Sequence, residues 1–220
     1  ILRANYSEVQ AVIRDNRCDF AFVCTYPMVR AKREFGAEVL VLPVVGGLVS
    51  YNSYIIVRRN DPADNLLALR GKRFAASDTM STSGWLYPAV WLIEHDEVPE
   101  LFFSKITYAG SHDRAAMAVV EGDADAAAVH STIYDQMPAE VRQATRVIDT
   151  SPPYGSPPVV VPEHLDPSLK SRLKSALLGM HEDEKGRAAL ERLEIDRFVL
   201  PEAGLYDTVE ALVRRWEASL

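Results

Sequence analysis

Residues 72–92 read KRFAASDTMSTSGWLYPAVWL. Residues 72–76 have the pattern of a strand, residues 77–80 that of a turn, and the apolar side chains that follow predict a helix. This helix opens with Ser81, Thr82, Ser83 and Gly84. The first N–H groups of a helix have no internal partners, its dipole favours negative charge, and hydroxyls add donors without adding charge. The motif fits an anion site, and it fits an ordinary helix cap equally well, because one serine or threonine is enough for a cap.

The composition is that of a soluble globular protein with one large domain or two smaller lobes. Of the 220 residues, 48% are hydrophobic and 25% are charged, and the formal net charge is −7. Lysine and arginine are scattered rather than clustered, which argues against a nucleic-acid partner. No stretch is long enough to cross a membrane, and no signal peptide is visible. Because the chain starts at Ile1, almost directly in a helix-like segment, we expect a processed or truncated start where a targeting sequence can have been lost.

Helix and strand patterns alternate along the chain, which predicts an α/β protein with parallel or mixed sheets. Asn5 is a candidate cap for a first helix, and Asp166, followed by a proline, is a candidate cap for a later one. Pro88 predicts a kink, or a late start, of the helix that follows residue 84.

Two extended segments, residues 51–60 and 151–161, flank a block of alternating strands and helices. A chain that leaves one lobe, builds a second and returns to the first gives a two-lobe clamshell, with its ligand in the cleft between the lobes. We therefore predict that residues 1–53 and 158–220 form lobe 1 and that residues 54–157 form lobe 2.

Other candidate sites are rejected on geometry. Cys18 and Cys24 are separated by a predicted strand of roughly 20 Å, too far for a disulfide, and their spacing fits no metal site. Residues 181–184 (HEDE) resemble a metal cluster by composition only, since a helix spreads them around its axis. Asp113 follows His112, but adjacent residues on a helix do not face each other, so no catalytic triad is predicted.

Six segments, in this order, carry a resemblance to a known family: CDFAF (18–22), YNSYIIV (51–57), LRGKRFA (69–75), STSG (81–84) with Pro88 after it, GSHD (110–113) and GDADAAAV (122–129). The chain resembles the periplasmic substrate-binding component of phosphate/phosphite/phosphonate ABC transporters, over essentially its whole length. The resemblance implies a type II periplasmic-binding fold, an α/β fold with two lobes. The family's first strand and its glycine-containing loop have no counterpart here, so we expect lobe 1 to lack its N-terminal strand.

The resemblance also implies which residues bind the ligand, and it implies no metal and no cofactor. Ser81, Thr82 and Ser83 are expected to hold phosphoryl oxygens through hydroxyls and backbone N–H groups, His112 to donate from the start of its helix, and Tyr51 to donate its phenol. The complete predicted set is Ser81, Thr82, Ser83, Gly84, His112, Tyr51 and Thr25. Thr25 is the contribution of lobe 1. For His130, at the end of a predicted strand, both a place in the cleft and plain packing remain open.

One departure from the family bears on the ligand. Members that bind an aminoalkyl phosphonate place acidic residues around its ammonium group, and the matching positions here are Thr132 and Pro157. Neither side chain can neutralise a positive charge. The expected ligand is therefore phosphate, phosphite or a small phosphonate with an uncharged tail.

The expected function is capture of this ligand outside the cytoplasm, by a monomer that delivers it to the permease of an ABC importer. The alternative is a ligand-sensing input domain of a membrane signalling protein, which has the same fold. An enzyme acting on a phosphorylated compound is disfavoured, because the sequence offers no nucleophile–base pair and no metal set.

Overall fold

The computed structural model describes residues 5–219, and these form two compact units. Unit 1 comprises the described residues within Ile1–Ser50 and Tyr154–Val209, and unit 2 those within Tyr51–Pro153 and Glu210–Leu220. Among residues 5–219, no helix is both long and apolar enough to span a membrane.

The helices are α1 (Tyr6–Arg14), α2 (Thr25–Phe35), α3 (Tyr87–Ile93), α4 (Pro99–Phe102), α5 (His112–Glu121), α6 (Ser131–Gln136), α7 (Ala139–Ala144), α8 (Pro167–Gly179), α9 (Glu184–Arg192) and α10 (Asp207–Ala218). A 3₁₀ turn covers Leu66–Leu69, and a π-helical turn covers Thr82–Leu86. The strands are β1 (Ala21–Phe22), β2 (Glu38–Val44), β3 (Ser50–Tyr51), β4 (Ser53–Arg58), β5 (Arg73–Ala76), β6 (Lys105–Tyr108), β7 (Ala126–His130), β8 (Thr145–Thr150), β9 (Tyr154–Gly155), β10 (Val159–Val161) and β11 (Arg197–Val199).

Unit 1 is built on a four-stranded sheet of order β1-β10-β2-β11, in which each neighbouring pair is antiparallel. Its core contains Val41, Val159 and Phe198, all nearly inaccessible to solvent. Helices α1, α8 and α9 of this unit begin at side-chain caps: the Asn5 side chain accepts from the backbone N–H of Glu8 in α1, as predicted.

Unit 2 is built on a five-stranded mixed sheet of order β6-β5-β7-β4-β8. The three strands β6, β5 and β7 are parallel, whereas β4 runs antiparallel to both β7 and β8. Helix α5 packs on this sheet through Ala115, Ala116 and Val119, whose small side chains let the helix approach the alanine-rich strand β7. The parallel part of the sheet brings the ends of three strands to one edge.

The sequence located most of these elements correctly. Helix α2 ends at Gly36 and α5 at Gly122, both with positive φ, the backbone conformation that favours glycine at a helix end. Pro88 marks a late start, because the regular helix α3 begins only after the π-helical turn. Helices α4, α6, α7 and α9 and strand β11 were not predicted; several are single turns, too short to carry a periodic pattern.

Three segments differ from the predicted division. Residues 51–53 were assigned to lobe 1 and residues 154–157 to lobe 2, whereas the structure groups them with unit 2 and unit 1, respectively. Residues 210–220 were assigned to lobe 1, whereas the structure groups them with unit 2. The physical reason lies in helix α10, where Leu212 and Val213 are buried and Arg215 forms a hydrogen-bonded ion pair with Glu94, 2.6 Å between Nη1 and Oε1. A C-terminal helix pattern alone does not reveal which core it will cover.

Candidate functional site

Four segments of unit 2 meet at one edge of its sheet, and the candidate site lies there. The carboxyl ends of parallel strands meet at the same edge of a sheet, so the segments after β5, β6 and β7 come together. These carry the Ser81 motif, His112 and His130, respectively. Strand β4 runs the other way and therefore begins at this edge, with Ser53 directly opposite His130.

The turn after β5 is shaped by Ser81. Its hydroxyl oxygen accepts from the backbone N–H of Gly84 at 3.0 Å, which is an N-cap, and its carbonyl accepts from the N–H groups of both Trp85 and Leu86. The second of these bonds spans five residues and makes the turn π-helical. Ser81 thus fills the cap role that one serine can fill, and Thr82 and Ser83 are not needed for it.

Gly84 is required by close packing. A Cβ at this position would lie 1.9 Å from Ser77 Oγ and 2.8 Å from Ser81 Oγ, well inside van der Waals contact. The absence of a side chain lets the turn fold down onto the end of β5. As a result Ser81, Thr82 and Ser83 are all fully buried.

Three buried polar atoms at this edge have no hydrogen-bond partner among the described residues: Ser77 Oγ, Ser83 Oγ and His130 Nδ1. A buried polar group without a partner costs about 1–3 kcal/mol, so three of them together need an explanation. The main chain of Ser83 is held in place, because its carbonyl accepts from Ser53 Oγ at 2.6 Å. Its hydroxyl is left available to a further group.

His112 is buried at the first residue of α5 and is held as a neutral donor. Its Nδ1 accepts from the backbone N–H of His130 at 3.2 Å. A neutral imidazole has one hydrogen, so that of His112 lies on Nε2. Burial lowers the pKa of His112 to about 4, against a smaller opposing effect of the Asp113 carboxylate.

His130 and Tyr51 form a stacked pair beside His112. Their ring centroids are 3.8 Å apart and their planes are inclined by only 2°, while the His130 ring meets that of His112 edge-to-face at 5.8 Å. Burial first, and the neighbouring His112 second, keep the pKa of His130 well below its ordinary value. Both imidazoles are therefore uncharged at neutral pH.

His112 and Asp113 are not arranged as part of a serine–histidine–aspartate triad. Asp113 hydrogen-bonds to Ser111 and to backbone N–H groups, and this lowers its pKa. A triad needs the histidine Nδ1–H to face the carboxylate, whereas Nδ1 of His112 is already an acceptor. Within residues 5–219, no three histidine, cysteine, aspartate or glutamate side chains cluster as a metal site requires.

The structure brings most of the predicted site residues together. Ser81, Thr82, Ser83 and Gly84 form one turn, Ser83 is joined through Ser53 to the start of β4, and His112 is joined through His130 to Tyr51. Thr25 lies in unit 1, fully buried at the first residue of α2. Thr132 lies in α6 of unit 2, and Pro157 belongs to unit 1.

Sequence reasoning missed two contributors and left a third undecided. Ser53 and Ser77 were not singled out, because single serines at strand ends are common and carry no motif. His130 follows four apolar residues of a strand, Ala126–Val129 in the sequence, so a polar ring at the end of a buried strand was the available signal.

Comparison with known proteins identifies the family. A family model described as "ABC transporter, phosphonate, periplasmic substrate-binding protein" matches residues 1–206, which is nearly the whole chain. The chain belongs to this family. The resemblance noted in the sequence is thereby confirmed.

Two curated relatives have names that refer to phosphonate or phosphate. The chain is 26% identical over 197 residues to the phosphonates-binding periplasmic protein of Escherichia coli K12, covering 86% of this chain and 58% of the relative. It is 34% identical over 141 residues to the phosphate-import protein PhnD of Mycolicibacterium smegmatis, covering 58% of this chain and 43% of the relative. The chain thus spans about half the length of these relatives.

Solved structures establish the fold of this family member. PhnD1 from Prochlorococcus marinus, in complex with methylphosphonate, matches with a TM-score of 0.84 at 20% identity, covering 97% of this chain and 84% of that one. A binding-protein component of an ABC phosphonate transporter from Pseudomonas aeruginosa matches with a TM-score of 0.87 at 20% identity, covering 97% and 73%. The predicted α/β type II periplasmic-binding fold is confirmed.

Proposed function

We propose that this protein captures a small phosphorus oxyanion (phosphate, phosphite or a small phosphonate) as the extracytoplasmic solute-binding component of an ABC importer. The observation that carries the proposal is the buried, unpartnered Ser83 Oγ in a turn whose backbone is already held by Ser53 and Ser81. A hydroxyl fixed in this way is prepared for an acceptor that comes from outside the chain.

The chemistry of the surrounding donors favours an oxyanion. Helix starts favour negative charge, and two of them lie at this edge, after β5 and at His112. His112 offers Nε2–H, and the hydroxyls of Ser81, Thr82 and Ser83 complete the expected set. We infer that Tyr51 and Thr25, as the family resemblance implies, contribute further donors. Each hydrogen bond to a charged group is worth about 1.5–3 kcal/mol net, so about five or six such bonds support micromolar binding after the cost of immobilising the ligand.

The ligand's tail is proposed to be uncharged. Thr132 and Pro157 stand at the positions where aminoalkyl-binding members of the family place acids, and neither can pair with an ammonium group. We also propose that the protein acts as a monomer, catalyses no reaction and delivers its ligand to a permease.

Isothermal titration calorimetry with phosphate, phosphite, methylphosphonate and 2-aminoethylphosphonate tests the proposal. We expect at least one of the first three to bind with micromolar or better affinity, and 2-aminoethylphosphonate to bind more weakly than methylphosphonate. Absence of binding by all four would refute the proposed function. A preference for the aminoalkyl ligand would refute the uncharged tail and leave the phosphoryl site standing.

The matched control is sulfate, which has the same tetrahedral shape and no phosphorus. A ligand whose heat of binding survives in Ser83→Ala at unchanged affinity would be binding elsewhere. Together these measurements separate binding at the proposed edge from general attraction of anions.

A further inference from the structure

We propose that His130 is a second imidazole contact to the ligand, made through Nδ1, in addition to His112. This inference rests on the proposed function and extends it to a residue for which the resemblance implied no role. The observation behind it is that His130 Nδ1 is buried and has no hydrogen-bond partner among the described residues.

The position of His130 places Nδ1 at the candidate site. His130 is the last residue of β7, lies opposite Ser53 in the sheet, and donates its backbone N–H to His112 Nδ1. Ser53 in turn holds the carbonyl of Ser83. The residue with the unpartnered imidazole nitrogen thus lies opposite Ser53, and Ser53 holds the main chain of the residue with the unpartnered hydroxyl, Ser83.

Packing alone does not account for a histidine here. The ring stacks flat on Tyr51, with 3.8 Å between the centroids, and a phenylalanine would provide the same stacking without burying a polar nitrogen. Stacking fixes the plane of the ring, and the edge contact with His112 limits its rotation. A ring held this firmly directs Nδ1 toward a fixed point, as a ligand-binding group must.

The two histidines use opposite nitrogens. His112 Nδ1 accepts from the backbone N–H of His130, so Nε2–H is the remaining donor of His112. In His130 it is Nδ1 that has no partner among the described residues. Two neutral imidazoles held side by side present two directed hydrogen-bonding groups without mutual charge repulsion. An oxyanion with three or four oxygens has enough oxygen atoms to occupy both.

Three substitutions at residue 130 separate the role of Nδ1 from that of the ring. His130→Phe keeps the stacking and removes both nitrogens, His130→Asn places an amide near the position of Nδ1, and His130→Gln places one near Nε2. With whichever of phosphate, phosphite and methylphosphonate binds the wild type most tightly, we expect about 10- to 100-fold weaker binding for His130→Phe and His130→Gln. We expect His130→Asn to stay within about tenfold of the wild type.

The outcomes distinguish this inference from the proposed function. If the wild type binds none of the three ligands, both the proposed function and the contact through His130 Nδ1 are refuted. If the wild type binds and His130→Phe binds equally well, or if His130→Asn is as weak as His130→Phe, only the contact through Nδ1 is refuted. Circular dichroism and the thermal unfolding midpoint of each ligand-free variant show whether it is folded.

A wild-type measurement covers the case in which the variants do not fold. In a ¹⁵N-detected histidine spectrum, the Nδ1 resonance of His130 is expected to move on addition of the ligand, together with Nε2 of His112. A His130 Nδ1 resonance that stays in place while the ligand saturates the protein would overturn the inference.

Discussion

Aspartate-capped and serine-capped helix starts of this protein differ in the charge that the cap brings to the helix end. In unit 1, α8 and α9 begin at Asp166 and Asp183, whose carboxylates accept from the N–H groups of Leu169 and Gly186 at 2.9 Å. In unit 2, the turn after β5 begins at Ser81, a neutral and buried cap. An aspartate cap brings its own negative charge to the helix end. A serine cap is neutral, so a negative charge at this helix end has to come from a bound anion.

The comparison teaches that a capping hydrogen bond does not distinguish an anion site from an ordinary helix start. Both kinds of cap have the same bond at almost the same length. What differs is the next polar group: Ser83 Oγ is buried and has no partner among the described residues.

Gly84→Ala is expected to have the largest effect, because the new methyl group would collide with Ser77 Oγ and Ser81 Oγ. Overpacking of this kind lowers the free energy of unfolding by about 1–3 kcal/mol. Displacement of the turn should also weaken ligand binding by about 100-fold or more, as measured by calorimetry, since a shift of about 1 Å is enough to misplace a binding group.

The matched control is Gly179→Ala at the end of α8, where a Cβ would find its nearest neighbour, Glu182 Oε2, at 3.9 Å. This variant should keep wild-type affinity and change the free energy of unfolding by less than about 1 kcal/mol. Equal effects of the two substitutions would contradict the special packing of the turn.

The ligand-free protein is expected to lose stability as the pH falls from about 6.5 to about 4. Over this window the unfolded chain takes up a proton at His112 and the folded protein does not, because burial holds the folded pKa at about 4. One pKa unit corresponds to about 1.4 kcal/mol, so His112 contributes on the order of 3 kcal/mol to this loss. Chemical denaturation at several pH values measures it.

His112→Asn should reduce this pH dependence, since asparagine does not titrate and its amide oxygen can still accept from the backbone N–H of His130. The part that remains includes His130, whose pKa is also lowered by burial. A His112→Asn profile as steep as that of the wild type would contradict the assignment of His112 as a buried neutral ring.

Ser83→Ala should weaken binding by about 10- to 100-fold, the equivalent of one hydrogen bond to a charged group. It should leave the stability of the ligand-free protein unchanged or slightly higher, because it removes a buried hydroxyl that has no partner among the described residues. Calorimetry and thermal unfolding of the same sample measure the two effects. A variant that loses stability and keeps its affinity would show that Ser83 is structural.

Asp166→Ala should affect stability and not affinity, the opposite of Ser83→Ala, and its effect should be the smallest. Loss of this exposed cap lowers the free energy of unfolding by about 1 kcal/mol and leaves binding unchanged. If Ser83→Ala and Asp166→Ala affected stability and affinity in the same proportions, the distinction between the two kinds of helix start would not hold.

Much of this fold was predictable because its signals are local. Gly36 and Gly122 mark helix ends, Asn5 and Asp166 mark helix starts, and the STSG motif marks the turn. The short helices α6 and α7 were not predictable, since six residues make fewer than two turns and show no clear period. The place of residues 210–220 depends on which core their apolar face covers, and that is a property of the folded chain.

The candidate site was predictable in part for the same reason. Ser81–Gly84 and His112 stand in recognisable motifs, whereas Ser53 and His130 are brought to the site by sheet register, which no motif encodes. Ser77 is local to the turn after β5, but a single serine there carries no motif. The π-helical turn also escaped prediction, because it arises from two N–H groups that share one carbonyl, that of Ser81. Pairing across strands, rather than sequence spacing, assembles the remainder of the site.

A crystal structure of the protein with methylphosphonate would show directly whether Ser83 Oγ and His112 Nε2 bind the phosphoryl group. We predict a phosphoryl oxygen within hydrogen-bonding distance, about 2.5–3.2 Å, of both Ser83 Oγ and His112 Nε2. A structure in which methylphosphonate is bound while Ser83 Oγ remains buried without a partner would contradict the account.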